Sequence, residues 1–445
     1  MRFPFAFKGQ MRRLPYALST FGAFFSQHLV TLIVFNTQGR RLDLDWYFYL
    51  MPLRSFAKSG QASDVVLLLA LAVFLLVAWV LAALAFRRAA DANLSGWIAA
   101  FAMAPVIQVP VMLFLCVVRS RSAASTDHAG LPDGWAAAQG VIVGTGVTLF
   151  AVAMGTLLFG SYSHGVFVVA PFVIGAATAY IANRKGDVGA SHTSKVVAIA
   201  TLLGSIALVV TAIEGIVCII LAAPLGLGVA IVGGMLGRAI ALHSRRSVQQ
   251  TLSGFALLPL VFAAETVLPA ITTFDTYATV EINAPPEMVW KSIVRMETID
   301  GPLALPFRLG VAYPLRGEVI GEGVGASRIG EFSTGTAVER VTEWIPNRKL
   351  AFTVLRDVPA MRELSPYEHV HAPHVIGYFH TNYTSFELLP QQNGRTEVIE
   401  RTSHSLKLEP ILYWLPLARW VVHRNNARVL THIKHQAERT LAIGG

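Results

Sequence analysis

The side chains best suited to chemistry are histidines and a few charged groups late in the chain. The segment YEHVHAPHVIGYFH carries Glu368, His369, His371, His374 and His380, and His404, His423, His432 and His435 follow. Two histidines spaced His-x-x-His in a turn can converge on zinc, so His371 and His374 form a candidate pair with a third nitrogen from His404 or His423. The spacing matches no closed metal signature, and on either side of Ala372 and Pro373 the same two histidines can fix a loop by hydrogen bonds. We therefore expect no metal and no cofactor, with the set His371, His374, His404 as the alternative. Acid/base catalysis would need a polar pair inside a cavity. Glu339, Glu343, Arg328, Arg340 and His404 all lie on strand-like runs, where adjacent residues face opposite ways. Register stays open, so Glu339, His371, His374 and His404 stand as the polar site candidates, and Glu343 with Arg328 can equally be a surface pair. A Ser-His-Asp order, a phosphate loop and a dinucleotide fingerprint are all missing, which leaves catalysis undecided. The glycines of GEGVG at 321, 323 and 325 read as a hairpin or bulge.

These groups need a scaffold, and its pattern begins at Thr272. Residues 274–282 alternate with a period of two, and Pro285 and Pro286 end that strand. Pro286 suits the first position of a helix, Glu287 puts a carboxylate in its first turn, and Val289, Trp290, Ile293 and Met296 form its apolar face. Six further strand-like runs follow: GVAYPLRGEVIG, ASRIGEFSTG, TAVERVTEWI, KLAFTVLRD, GYFHTNYTSFELLP and RTEVIERTSHSLKL. A long periodic stretch from Ile411 to about Leu441 closes the chain.

Everything before this reads as membrane. Of the 445 residues 54% are hydrophobic, and mean hydropathy is +0.53, far above the range of soluble proteins. The formal charge of +9 is not a nucleic-acid signal: residues 1–271 hold 18 Lys+Arg against 9 Asp+Glu, while residues 272–445 hold 18 against 18. The excess lies where interfacial Arg and Lys set topology and meet anionic lipid. Apolar runs at 14–35, 65–86, 97–118, 136–159, 166–182, 196–222, 225–242 and 252–270 give about eight helices, or seven if 160–165 or 222–224 joins its neighbours into one broken element. The stretches GVIVGTGV and GLGVAIVGGMLG predict close helix–helix approach. Glu214, in the middle of one run, is either a proton or cation relay or a hydrogen-bonded packing residue beside Thr211. Cys116 and Cys218 both sit in apolar runs, so a disulfide framework is not expected.

Two resemblances follow from these residues. FKGQMRRLPY at 7–16 and FRRAADANLSGW at 86–97 resemble a bacterial inner-membrane family of unknown function over roughly the first 120 residues. Arg87, Arg88, Asp91, Ser95, Gly96 and Trp97 match its signature, whereas Ala89 and Ala90 replace its Leu and His. Physically, the two arginines could snorkel to head groups with Asp91 beside them, and Trp97 could anchor the next helix. From 272 to 442, the junction Ala284, Pro285, Pro286, Val289, Trp290, then Gly317, Gly321 to Gly325, Trp344, Tyr413 and Trp414 resemble the START-like or polyketide-cyclase-like (SRPBCC) superfamily. That resemblance implies a helix-grip α+β domain in which a curved sheet wraps the last helix around an apolar cavity, and it brings no catalytic residue.

The expected architecture is thus a multi-span all-α membrane bundle, residues 1–271, followed by an α+β helix-grip (START-like) domain, residues 272–445. The expected function is membrane-tethered binding or transfer of a hydrophobic small molecule, such as a lipid, quinone or isoprenoid. Trp290, Trp344, Leu417, Val421 and Leu430 are the cavity candidates. A scaffold with a filled core and an enzyme using a cavity His or carboxylate are the alternatives. The expected partners are membrane lipids and that small molecule, without nucleic acid. The expected location is an inner membrane crossed several times, with the last domain cytoplasmic.

Overall fold

The computed structural model describes residues 9–38, 64–103, 108–120, 135–243, 257–267, 270–367 and 373–444, with a few isolated positions between 7 and 55. The chain falls into two compact units, Met1–Val267 with Ser365–His371 and Leu268–Leu364 with Ala372–Gly445.

Among the described residues the regular elements of the first unit are all helices. Its helices are α1 (Arg13–Thr37), α2 (Asp64–Asp91), α3 (Gly96–Ala100), α4 (Gln108–Val117), α5 (Trp135–Ala153), α6 (Ala170–Asn183), α7 (Ala190–Val210), α8 (Ile216–His243) and α9 (Leu257–Val267). Among the described residues six helices are long and apolar enough to cross a membrane, and α4 and α9 are shorter apolar ones. The chain is therefore a multi-pass membrane protein by helix length and composition. The connection at 160–165 is a true break, flanked by the π-helical turns Met154–Leu158 and Gly165–Val169.

A second expected break lies elsewhere. The runs 196–222 and 225–242 do not part at Pro224, which sits inside α8; the chain turns at 211–215 instead. Ala212 takes a left-handed φ of 57°, and the amides of Ala212 and Ile213 donate to the carbonyls of Val209 and Leu208. That pair of bonds closes a helix C-terminus, so local backbone chemistry outweighs the proline. Glycines then let backbones touch as the sequence predicts. A Cβ at Gly175 would lie 1.9 Å from the Ala230 carbonyl oxygen, and one at Gly237 would lie 2.0 Å from that of Ala176, which locks α6 against α8.

Arg88, Glu214 and Glu265 each hold polar partners inside this unit. Arg88 does not snorkel: it is buried, donates to the backbone carbonyls of Leu115 and Val118, and pairs with Asp91, which also accepts from Ser120. The end of α4 exposes carbonyls with no helical partner, and a guanidinium fits them better than a head group would. Glu214 and Glu265 both hold the 160–165 connection. Tyr162 donates to Glu214 at 2.6 Å, while Ser161 Oγ and the Gly165 amide donate to Glu265 at 2.6 and 2.7 Å. Thr211, expected beside Glu214, instead bonds back to Ala207 and Leu208.

The second unit follows the predicted order. Strand β1 (Thr272–Ile282) leads into α10 (Pro286–Val294), the two-residue β2 (Arg295–Met296) and the single turn α11 (Leu305–Arg308). Then come β3 (Pro314–Ile320), β4 (Ser327–Phe332), β5 (Gly335–Ile345), β6 (Lys349–Arg356), β7 (Phe379–Pro390), β8 (Thr396–Leu406) and the long α12 (Ile411–Gly444). All eight strands form one antiparallel sheet in the order β1-β8-β7-β6-β5-β4-β3-β2. The GEGVG segment is the β3–β4 hairpin, with positive φ at Gly321, Gly323 and Gly325. The sheet curls into a half-barrel that α12 enters, which is the helix-grip architecture. Trp290 of α10 is buried edge-on to Trp344 with ring centroids 5.0 Å apart, beside Ile282, Val289, Ile293, Leu350, Val398, Leu430 and Ile433.

Candidate functional site

The inner face of the half-barrel follows from strand alternation. On β8, residues 396, 398, 400, 402, 404 and 406 are buried while those between them are less so, and Val398, Glu400, Thr402 and His404 therefore share one face. Antiparallel register sets Phe274 opposite His404, Thr276 opposite Thr402 and Ala278 opposite Glu400 on β1. On the other side of β8, Phe386 lies opposite Glu400 and Thr384 opposite Thr402.

One polar network on this face bolts α12 to the sheet. Asn426 of α12 donates to Thr276 and Thr402, both at 3.3 Å, and those hydroxyls share a hydrogen bond of 2.7 Å. His404 extends it, with Nε2 2.9 Å from Thr402 Oγ1 and Nδ1 3.3 Å from Thr381 Oγ1. Its ring lies between Phe274 and Phe379, centroids 5.3 and 5.1 Å away. Burial among these rings pushes its pKa down to about 4, because a charged imidazole there would lose its hydration. His404 is thus a neutral residue with both nitrogens engaged.

A second group lies deeper in strands β4, β5 and β8. Register places Arg328 opposite Glu339, and the two form a buried ion pair. The guanidinium also lies over the Phe352 ring, 4.3 Å from its centroid. Burial raises the Glu339 carboxyl, and Arg328 beside it offsets only part of that rise. Glu400 is buried without a direct ion pair among the described residues, and desolvation raises its pKa to about 8, with Arg328 opposing. It is therefore mainly protonated near neutral pH. Arg328 Nε and Glu400 Oε2 are buried with no hydrogen-bond partner among the described residues.

The sequence candidates divide accordingly. Glu339 and His404 both reach the inner face, but in separate groups. His374 is buried near Glu363, with Nε2 3.5 Å from Oε1, and so is not brought beside His404. His371 lies outside the described residues. Glu343 pairs with Lys349 at 2.8 Å on a half-exposed rim, leaving Arg328 to Glu339. Among the cavity candidates Trp290 and Leu430 are buried in the core, Trp344 packs against it, and Leu417 and Val421 are only half-covered. These two precede Asn425 and Arg428 on one flank of α12, which donates to the carbonyls of Ala312 and Ile299. Glu400, Thr276, Thr402 and Asn426 were not singled out from sequence. For Glu400 the signal was present: it lies four residues from His404 on a strand of period two.

Solved structures similar to the second unit include the Zhui aromatase/cyclase from Streptomyces sp. R1128, 19% identical over 39% of this chain and 99% of that one, with a TM-score of 0.26. The Aha1 dimer from Colwellia psychrerythraea is 19% identical over 37% and 96%, TM-score 0.22. A Nitrosomonas europaea protein is 15% identical over 38% and 96%, TM-score 0.24. No curated protein matches the chain. At the other end, where Arg88, Asp91 and Ser95 build the junction from α2 to α3, residues 4–126 match the family described as Protein of unknown function (DUF805).

Proposed function

We propose that the second unit binds a hydrophobic small molecule, of lipid, quinone or isoprenoid type, between the half-barrel and α12, and that the helical unit tethers it to an inner membrane with the half-barrel on the cytoplasmic side. One observation carries this reading. Toward its C-terminal end α12 is sealed onto the sheet, with Leu430, Ile433 and Ala437 no more than 2% exposed, whereas nearer its start Leu417 and Val421 are only partly buried although Trp414 and Val422 are buried. A curved sheet sealed over a helix at one end and less tightly covered at the other supports a small-molecule site at that looser end. The membrane helices support the same conclusion, since a lipophile drawn from a bilayer by a tethered domain avoids a hydration cost of about 25 cal/mol per Å² of apolar surface.

The experiment is to purify the full chain from membranes, extract bound small molecules and identify them by mass spectrometry. The wild type should carry a lipophilic compound, and Val421→Trp should lose most of it with the fold intact. A wild type that carries none, joined to an experimental structure in which α12 packs solidly along its whole length, would replace binding by a scaffold role. The orientation is tested separately by single cysteines in place of Ser244 and Gly445, after Cys116 and Cys218 are replaced. Labelling at 445 by a membrane-impermeant reagent in intact cells would overturn the cytoplasmic assignment.

A further inference from the structure

Arg328 and Glu400 sit 7% and 4% exposed on the inner face, and each keeps a polar atom without a partner. The guanidinium gives Nη1 to Glu339, while its Nε–H has no acceptor among the described residues; Glu400 Oε2 is open among them as well. Neighbouring strands are cleared for Arg328 and its partner Glu339. A Cβ at Gly317 of β3 would lie 2.5 Å from Arg328 Nη2, and one at Gly330 of β4 would lie 3.3 Å from Glu339 Oε1. Buried polar atoms in folded proteins nearly always find partners, so two open ones on one face call for a third party.

We propose that Arg328 and Glu400 together hold the polar end of the lipophilic ligand, and that this end is an uncharged oxygen, a hydroxyl or a ketone. The inference rests on the binding role proposed above and narrows its ligand class. A hydroxyl accepts from Arg328 Nε–H and donates to Glu400; a ketone accepts from both when Glu400 carries its proton. Charge selects against an anion. Arg328 cannot be deprotonated, and Glu339 in contact supplies its one counter-charge. Burial holds Glu400 protonated to about pH 8. A carboxylate ligand would add an unmatched buried charge.

The test uses the full chain in nanodiscs of phosphatidylethanolamine and phosphatidylglycerol. The probes are hexadecan-1-ol, hexadecanoic acid and hexadecane, each with a mid-chain diazirine, and labelled peptides are quantified by mass spectrometry. Labelling of α1 and α2 normalises for partition into the bilayer. The alcohol should label β4, β5 and β8 about tenfold more than the acid or the hydrocarbon; Glu400→Leu should bring it to the hydrocarbon level, and Glu400→Gln should keep it within about threefold. Equal labelling by alcohol and hydrocarbon, or indifference to Glu400→Leu, overturns the proposal and leaves an internal water between the two groups. Preference for the acid also overturns it. Should Glu400→Leu not fold, the ranking of the three probes on the wild type decides. If none of the probes labels these strands while α1 and α2 are labelled, the binding role itself fails.

Discussion

Arg88 and Glu265 in the helical unit and Arg328 and Glu400 in the half-barrel are held in opposite ways. In the helical unit, Arg88 is spent on the Leu115 and Val118 carbonyls and Asp91, and Glu265 on Ser161 and the Gly165 amide. Each closes a backbone defect, a helix end or a short turn, where lipid offers no water to do so. In the half-barrel, Arg328 and Glu400 sit on regular strands whose backbone is already satisfied, and they retain open atoms. A buried charge that completes the backbone is scaffold; one left over after the backbone is complete is a candidate for ligand chemistry.

The largest effect should come from breaking the first kind. Arg88→Ala leaves two carbonyls and the Asp91 carboxylate without their partner, and should cost about 3–5 kcal/mol, read as loss of a monodisperse folded species on heating in detergent. A milder loss with full retention of fold would place Arg88 among the surface charges and erase the contrast. Next in size is packing. Gly237→Leu must push the Ala176 backbone aside and should destabilise the bundle by about 1–3 kcal/mol or more, whereas Gly146→Ala, where a Cβ meets nothing within 4 Å, should be neutral or slightly stabilising. Equal effects at the two sites would show that helix propensity, not the α6–α8 contact, sets the stability.

The smallest effect sharpens the half-barrel side and concerns pH. His404 has its folded pKa depressed from 6.5 to about 4, so it contributes stability above 6.5 that is lost as pH falls from 6.5 toward 4. Glu400 has its folded pKa raised from 4.5 to about 8, so the folded state binds the extra proton and stability declines as pH rises from 4.5 to 8. Between 4.5 and 6.5 the slopes oppose, and the wild-type profile from this pair should be nearly flat. Glu400→Gln should expose the rising histidine slope and add about 3 kcal/mol at pH 7, while His404→Gln should expose the falling one. Hydrogen exchange of the β8 amides in the full chain, measured across that range, checks both. A profile unchanged by either substitution would mean that neither group is held neutral by burial.

Much of the fold was legible in the sequence because periodicity is a local property. The strands from Thr272 to Leu406, the helix from Ile411 and the apolar helices all follow from spacing, and Trp290 went where its helix face pointed it. The break between α7 and α8 escaped because Pro224 is conspicuous and the left-handed Ala212 is not. The site was half-legible: Glu339 and His404 were found as polar residues on strands, while Glu400 was passed over as one more charge in an alternating run.

What the sequence determined by itself was composition and period: a membrane-spanning first part, a charge-balanced second part, and which residues share a strand face. What the tertiary structure alone decided was register. A shift of one residue turns a strand's inner face outward, and no local pattern in β4 or β5 says that Arg328 meets Glu339 rather than Glu343. Register depends on hairpin geometry, on bulges such as those between Val341 and Glu343, and on pairing between strands more than a hundred residues apart, as Thr276 with Thr402. The same holds for Arg88, whose carbonyl partners belong to a helix that only the packed bundle brings to it.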